Sequence, residues 1–371
     1  MRRQIGAIAL KKFLILIMVW SHSIFAEEVD DLYISLVPIP DQTLASRRQG
    51  INDALKNVLV KLTGNSAVIQ LAAVQPSLKN ATLYVDAISF EALPNNLSIY
   101  DNAEGLNLGL RVNFSHSAID NLIRRSELPV LPSNRPKLIF WIVRDDVEAG
   151  RRLLGKDTKG ASFTDADEQL MRDLSRVMKD RGIPFILPSL DLEDQLTLSA
   201  EEAWNLASEK IEIASERYGA DAWVAMRFYR SSNGKIRGSW KYWANNKSYF
   251  DDFGMESDVS FIPPVINELI DGLAGSFSYV PQKTKNVLIV KVFDVQSLDN
   301  YKKINEELTR LELVNSIDLV SINRDEIHFA ISSEGNSDLL HDALIRSGRF
   351  EMRTADLSHK DSSLSFDWKN Q

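Results

Sequence analysis

The chain has 371 residues, 44% of them hydrophobic and 25% charged, which is ordinary for a globular protein with room for two or three domains. It has no cysteine, which excludes disulfides, thiol catalysis, thiolate metal sites and a lipoprotein anchor. The net charge of −8 disfavours a phosphate backbone as partner, so no nucleic acid is expected.

The amino end is the clearest signal. Arg2, Arg3, Lys11 and Lys12 precede an apolar run at 13–20, then a polar Ser21-His22-Ser23 and a small Ala26. This describes a secretory signal peptide over residues 1–26, cleaved after Ala26. The run falls short of the ~20 apolar residues of a membrane span. An uncleaved anchor is the rival reading. Losing four basic and no acidic residues leaves the mature chain at −12. It has no second long apolar run, so no integral membrane segment is expected, and a periplasmic location follows.

Residues 32–38 read as a strand. Asp41-Gln42-Thr43 offers caps for a helix to about Leu62, with Leu55, Val58 and Leu62 on its apolar face and Gly64-Asn65 as its stop. A shorter helix is expected at 66–75, strands at 81–92 and 106–114, turns at 94–96 and 102–105, and a helix at 116–125. Together these make a first α+β domain, residues 27–134. Residues 133–136 read as a linker.

The nearly continuous apolar run at 137–143 predicts a strand covered on both faces. An exposed loop at 145–160 and a helix at 165–180 follow. Residues 183–188 read as a short apolar strand, and Ser199 with Glu202 opens a long helix ending at Gly219. Residues 220–230, 235–243 and 247–253 make a three-stranded meander with a hairpin turn at Ser232-Asn233-Gly234. Pro263-Pro264 starts a helix. This β-α-β-α-β-β-β-α order fills a second domain, residues 135–280.

Residues 281–371 read β-α-β-β-α-β, the split ferredoxin-like order. A last alternating segment at 360–371 predicts an edge strand. The fold class is therefore mixed α+β and α/β: three small domains behind a signal peptide.

Several segments together resemble an uncharacterised proteobacterial family, the domain of unknown function 2066. They are Ala54-Leu55, VLVKLTG at 58–64, Arg135-Pro136 with Trp141, RGIP at 181–184, PSLDLED at 188–194 and ASERYGAD at 214–221. The resemblance runs from about residue 31 to 278. It implies a secreted envelope protein and brings no catalytic residues. The middle domain's element order is also similar to the amino-terminal domain of the TolB translocation protein, a likeness of fold alone.

No assembled chemistry stands out. His116, His328, His341 and His359 lack zinc spacing, and Ser115-His116-Ser117 lacks a nucleophile elbow. Asp145-Asp146 and Asp251-Asp252 read as turn and strand-end acids. No cofactor motif is present, and neither cofactor nor metal is expected. The candidate binding residues are Asp191, Asp194, Arg217, Trp240 and Trp243. Arg217, at a helix carboxyl end, is placed to pair with Asp191 or Asp194. The tryptophans are core residues or an aromatic ligand platform. The leading expectation is a non-enzymatic envelope accessory protein that binds other envelope proteins. The alternative is a small-ligand or glycan binder.

Overall fold

The computed structural model describes residues 32–93, 108–156, 164–244, 247–256, 261–281, 286–353 and 363–369. The signal peptide and the turns expected at 94–96 and 102–105 lie outside these residues. The described chain is a mixed α+β structure with three sheets and ten α-helices.

The first sheet holds β1 (Ile34–Pro38), β2 (Val85–Ala92) and β3 (Leu108–Phe114), antiparallel in the order β1-β3-β2. Helix α1 (Leu44–Thr63) packs on it. The Thr43 side chain accepts from the Ser46 N–H, and Gly64 ends the helix with a φ of 69°. Ala54, Leu55, Val58 and Leu59 are fully buried, as their spacing on one helical face requires. The helix expected at 66–75 is instead a 3-10 turn, Ser66–Gln70, followed by α2 (Gln75–Lys79). Pro76 sits in the first turn of α2, where its missing N–H is not needed, and it suits the start of a new helix rather than the interior of a longer one. A second 3-10 turn, Ala81–Tyr84, delays β2, and α3 (His116–Arg125) closes the unit.

The second sheet is built from β4 (Leu138–Asp146), β5 (Gly150–Leu154), β6 (Phe185–Ile186), β7 (Ala222–Arg230), β8 (Ile236–Ala244) and β9 (Lys247–Met255). The order is β5-β4-β7-β8-β9, with β6 parallel to the first residues of β4. β4 and β7 run parallel from Leu138 and Ala222 to Asp145 and Tyr229. On one face α4 (Asp165–Arg181) and α8 (Ile262–Ala274) bury Phe140, Leu174, Val224, Ile266 and Leu269. The opposite face holds α5 (Leu192–Thr197), α6 (Ala200–Trp204) and α7 (Ser208–Glu216), and its buried cluster contains Ile139, Trp141, Ile211 and Trp223.

Two expectations are corrected here. Residues 145–160 are not simply a loop, because β5 pairs back on β4 after Gly150 turns with a φ of 68°. Arg151 and Arg152 give β5 the charge of a loop, but charge is also how an edge strand avoids unwanted pairing. The long helix after Ser199 is two helices, broken at Leu206 with a φ of 54°. The break lets Ala203 and Leu206 before it, and Ile211 and Ala214 after it, join one buried cluster.

The third sheet contains β10 (Asn286–Phe293), β11 (Val314–Asn323), β12 (Glu326–Ser333), β13 (Phe350–Met352) and β14 (Ser363–Trp368), with α9 (Leu298–Arg310) and α10 (Ser337–Arg346). Its order is β11-β12-β10-β14-β13. β14 was expected at an edge and lies inside, parallel to β10 and antiparallel to β13. Alternation reports which face is buried, whereas edge position depends on hydrogen bonds in the sheet plane. Phe366 and Trp368 are buried on the core face. The four-strand split order thus becomes a five-stranded sheet.

The expected linker at 133–136 is a junction between all three units. Arg135 is fully buried. Its guanidinium donates to the carbonyls of Arg181 at 2.7 Å, Gly182 at 3.0 Å and Lys61 at 2.6 Å. Arg181 donates to the Gly64 carbonyl at 2.7 Å and pairs with Asp271, which accepts from the Ser66 N–H at 2.8 Å. Asn134 donates to the Ala343 carbonyl at 3.0 Å, and Ser133 to Glu312. A segment this heavily bonded is not a free tether.

Candidate functional site

The winding of the second sheet creates a crevice. The chain leaves β4, crosses one face through α4 and returns as β6 beside one edge of β4. It then crosses the opposite face through α5, α6 and α7 and returns as β7 on the other edge. Connections that diverge in this way leave a gap at the carboxyl ends of the parallel strands, the usual ligand position in wound α/β sheets. A cavity of about 850 Å³ opens there, lined in part by Arg144, Asp146, Asp167, Leu170, Phe228 and Phe261.

Arg144 organises one side. Its side chain is mostly buried, pairs with Asp167 and donates to the Thr164 hydroxyl at 3.0 Å. Asp167 also accepts from the Thr164 N–H at 2.9 Å, closing the capping box that starts α4. Asp146 lies 3.7 Å from Arg144 and accepts from the N–H groups of Glu148 at 3.0 Å and Ala149 at 3.1 Å. Those backbone bonds, Ala149 first and then Glu148, hold the Asp146 carboxyl below the usual carboxylate range. Phe228 and Phe261 form the apolar wall, with ring centroids 4.9 Å apart.

The acids nominated from sequence form a different cluster. Arg217 grips Asp191 with two parallel bonds of 2.7 and 2.8 Å and reaches Asp194 at 3.0 Å. Asp194, 1% exposed, also accepts from the Leu190 N–H at 2.8 Å and the Tyr218 hydroxyl at 2.5 Å. Asp191 caps α5 by accepting from the Asp194 N–H. Arg217 drives the Asp191 carboxyl far down, and Asp191 in turn raises the guanidinium. With the carboxylate acceptors turned to the Arg217 and Tyr218 donors, these groups clamp α5 to the end of α7.

Trp240 and Trp243 are not brought together. Trp240 is 7% exposed on the α4 and α8 face, stacked on Tyr242 at 5.6 Å. Trp243 lies on the opposite face, across from Trp223. His116 stacks on Tyr33 at 3.9 Å instead of meeting a serine base partner. Among the described residues no group of three or more histidine or acidic side chains could hold a metal ion. No helix among them is long and apolar enough to cross a membrane.

Sequence reasoning missed the cavity residues because they come from five elements. Two signals were present: the apolar β4 run ends abruptly in Arg144-Asp145-Asp146, and Thr164 with Asp167 marks a capped helix start.

The described residues thus form three sheets in a mixed α+β structure, with a crevice at the ends of β4 and β7. The model of a domain of unknown function (DUF8605) matches residues 26–132. That match overturns the resemblance to the domain of unknown function 2066, and it covers the first sheet and its helices alone. Among solved structures, the protein VC0702 from Vibrio cholerae matches at 18% identity with a TM-score of 0.18, over 38% of this chain and 73% of that one. A second, described as an uncharacterized protein, matches at 11% identity with a TM-score of 0.16, over 38% of this chain and 88% of that one. Likenesses this loose carry no argument. No curated protein matches the chain.

Proposed function

We propose that this chain is an exported, non-enzymatic accessory protein of the cell envelope that binds other envelope proteins. The observation that carries this reading is the outer edge of β9. Its nine residues pair in unbroken register with β8 and have no neighbour on the other side among the described residues. Tyr249 and Phe250 are exposed there, Phe250 by 52%, beside exposed Asp251 and Asp252. A regular, uncovered edge with alternating side chains is what an extended segment of a partner protein needs in order to add a strand. The mutual saturation of Asp191, Asp194 and Arg217 supports a structural role for those acids over a catalytic one. Export rests on the charged and apolar leader at 1–26. On this reading the three units span residues 27–134, 135–280 and 281–371. The middle one is of the TolB amino-terminal kind, and the last is an enlarged ferredoxin-like unit.

Crosslinking in intact cells, followed by pull-down and mass spectrometry, tests the proposal. A specific envelope partner is expected, and the pair Tyr249→Lys and Phe250→Lys should lose it while the melting temperature holds. A chain found in the cytosol still starting at Met1, or a partner retained by the double variant, overturns it.

The crevice favours a second reading, a small-ligand or glycan binder. A cavity of about 850 Å³ falls within the range of about 300–1,000 Å³ in which small-molecule sites are built.

A further inference from the structure

We propose that the cavity at the ends of β4 and β7 takes an amphipathic cation, a protonated amine carried on an apolar body. The proposal rests on the small-ligand reading and names the ligand class.

Three features of the cavity lead there. Its walls are apolar on one side: Leu170, Phe228, Ile236 and Phe261 are each under a tenth exposed yet line the open space. Such a surface accepts a hydrocarbon or aromatic body, and the phenyl faces of Phe228 and Phe261 also attract a cation. The lining is acidic overall. Five carboxylates, from Asp145, Asp146, Glu148, Asp167 and Asp173, share it with two guanidiniums, Arg144 and Arg230. Two of these acids are neutralised from outside the lining, Asp145 by Arg151 and Asp173 by Arg176, so the unmatched negative charge gathers at Asp146 and Glu148, where it repels an anionic ligand and draws a cationic one.

The third feature is how those charges are distributed. The start of α4 would ordinarily attract an anion. Here it is sealed by its own carboxylate, because Asp167 fills the capping box and binds Arg144. The positive elements of the cavity are therefore already matched. Asp146 is different: two backbone N–H groups keep it ionised, and its contact with Arg144 is loose at 3.7 Å. Glu148 is exposed beside it, and its carboxylate has no partner among the described residues. An ammonium group meeting Asp146 and Glu148 restores the balance, while its apolar body lies against the phenylalanines. Among the described residues no group of converging ligands is built for a hard divalent ion.

Titration calorimetry of the full chain at low salt, with 4-phenylbutylamine, 4-phenylbutanol and 4-phenylbutyrate, tests this. The amine should bind about tenfold more tightly than the alcohol, the size of one charge-assisted contact, and the carboxylate most weakly. The variant carrying Asp146→Asn and Glu148→Gln should lose the amine's advantage and keep alcohol binding. Glu148→Gln alone, at an exposed position, should lose part of it with an unchanged melt. Carboxylate binding equal to amine binding, or an amine advantage that survives the double variant, overturns the proposal. If alcohol and amine bind equally, the cation is wrong and the small-ligand reading stands. If none binds, both fall.

Discussion

Two arginine clusters, similar in composition, do opposite things. At the junction, Arg135 is fully buried and faces three backbone carbonyls, and burial pushes its guanidinium down to about 9. At the clamp, Arg217 keeps 30% of its side chain exposed and faces three carboxylates, those of Asp191, Asp194 and, at 3.6 Å, Glu193, and Asp191 pushes it up. The first charge is held against a desolvation penalty, so it stays only while every partner is in place. The second gains from its partners but is screened by water. The junction should therefore tolerate no loss, and the clamp should tolerate nearly any.

The largest expected effect is at Arg135. Arg135→Met keeps the volume and removes the only donors that the structure gives to the Lys61, Arg181 and Gly182 carbonyls from this side chain. A loss of about 3–5 kcal/mol of unfolding free energy is expected, the usual result of breaking one half of a buried polar network. Urea unfolding followed by tryptophan fluorescence reads it. A loss below about 1 kcal/mol would erase the contrast between the two clusters, since that is the scale of surface pairs.

Asp271 gives the next effect and sharpens the comparison. Its carboxylate is 28% exposed, between the two extremes, and it joins Arg181 of α4 to Ser66 of the first unit. Asp271→Asn should destabilise by about 2 kcal/mol, because Arg181 remains charged and buried. Combining it with Arg181→Met should recover part of the loss, as removal of both charges relieves the unpaired one. A double variant less stable than either single one would show that the pair is not acting as a pair.

Local chemistry was readable without the fold. Thr43 and Gly64 bracket α1, Ser199 and Glu202 open α6, and Arg217 reaches Asp191, each within one element or between two neighbouring ones. Long-range placement was not. Arg135 sits in a polar tetrapeptide that has the composition of a linker, and only the arrival of residues 61 and 181 turns it into core. Leu206 takes a left-handed conformation that no leucine preference foretells, because packing of Ala203 and Ile211 on one sheet face overrides it. The cavity was hidden for the same reason: residues from 144 to 262 meet only after the sheet has wound in both directions.

The smallest effect belongs to the clamp, and it depends on pH. Arg217→Ala should cost about 1 kcal/mol at neutral pH, as expected of a partly exposed pair with good geometry. Asp191 decides how that changes with acid. Its folded-state carboxyl is held below the value it has in the unfolded chain, first by Arg217 and then by the Asp194 N–H. The unfolded chain therefore binds protons first as the pH falls, so the stabilisation is complete above about pH 4 and is lost below it. Wild type and Arg217→Ala should converge in melting temperature as the solution is taken from pH 7 to about pH 2, while wild type and Arg135→Met keep most of their separation, because the hydrogen-bond partners of Arg135 among the described residues are backbone carbonyls, which do not titrate. Convergence of both variants would mean that acid acts on the whole molecule. Convergence of neither would mean that Arg217 stabilises through packing on Tyr218, whose ring lies 5.2 Å from its guanidinium, and not through Asp191.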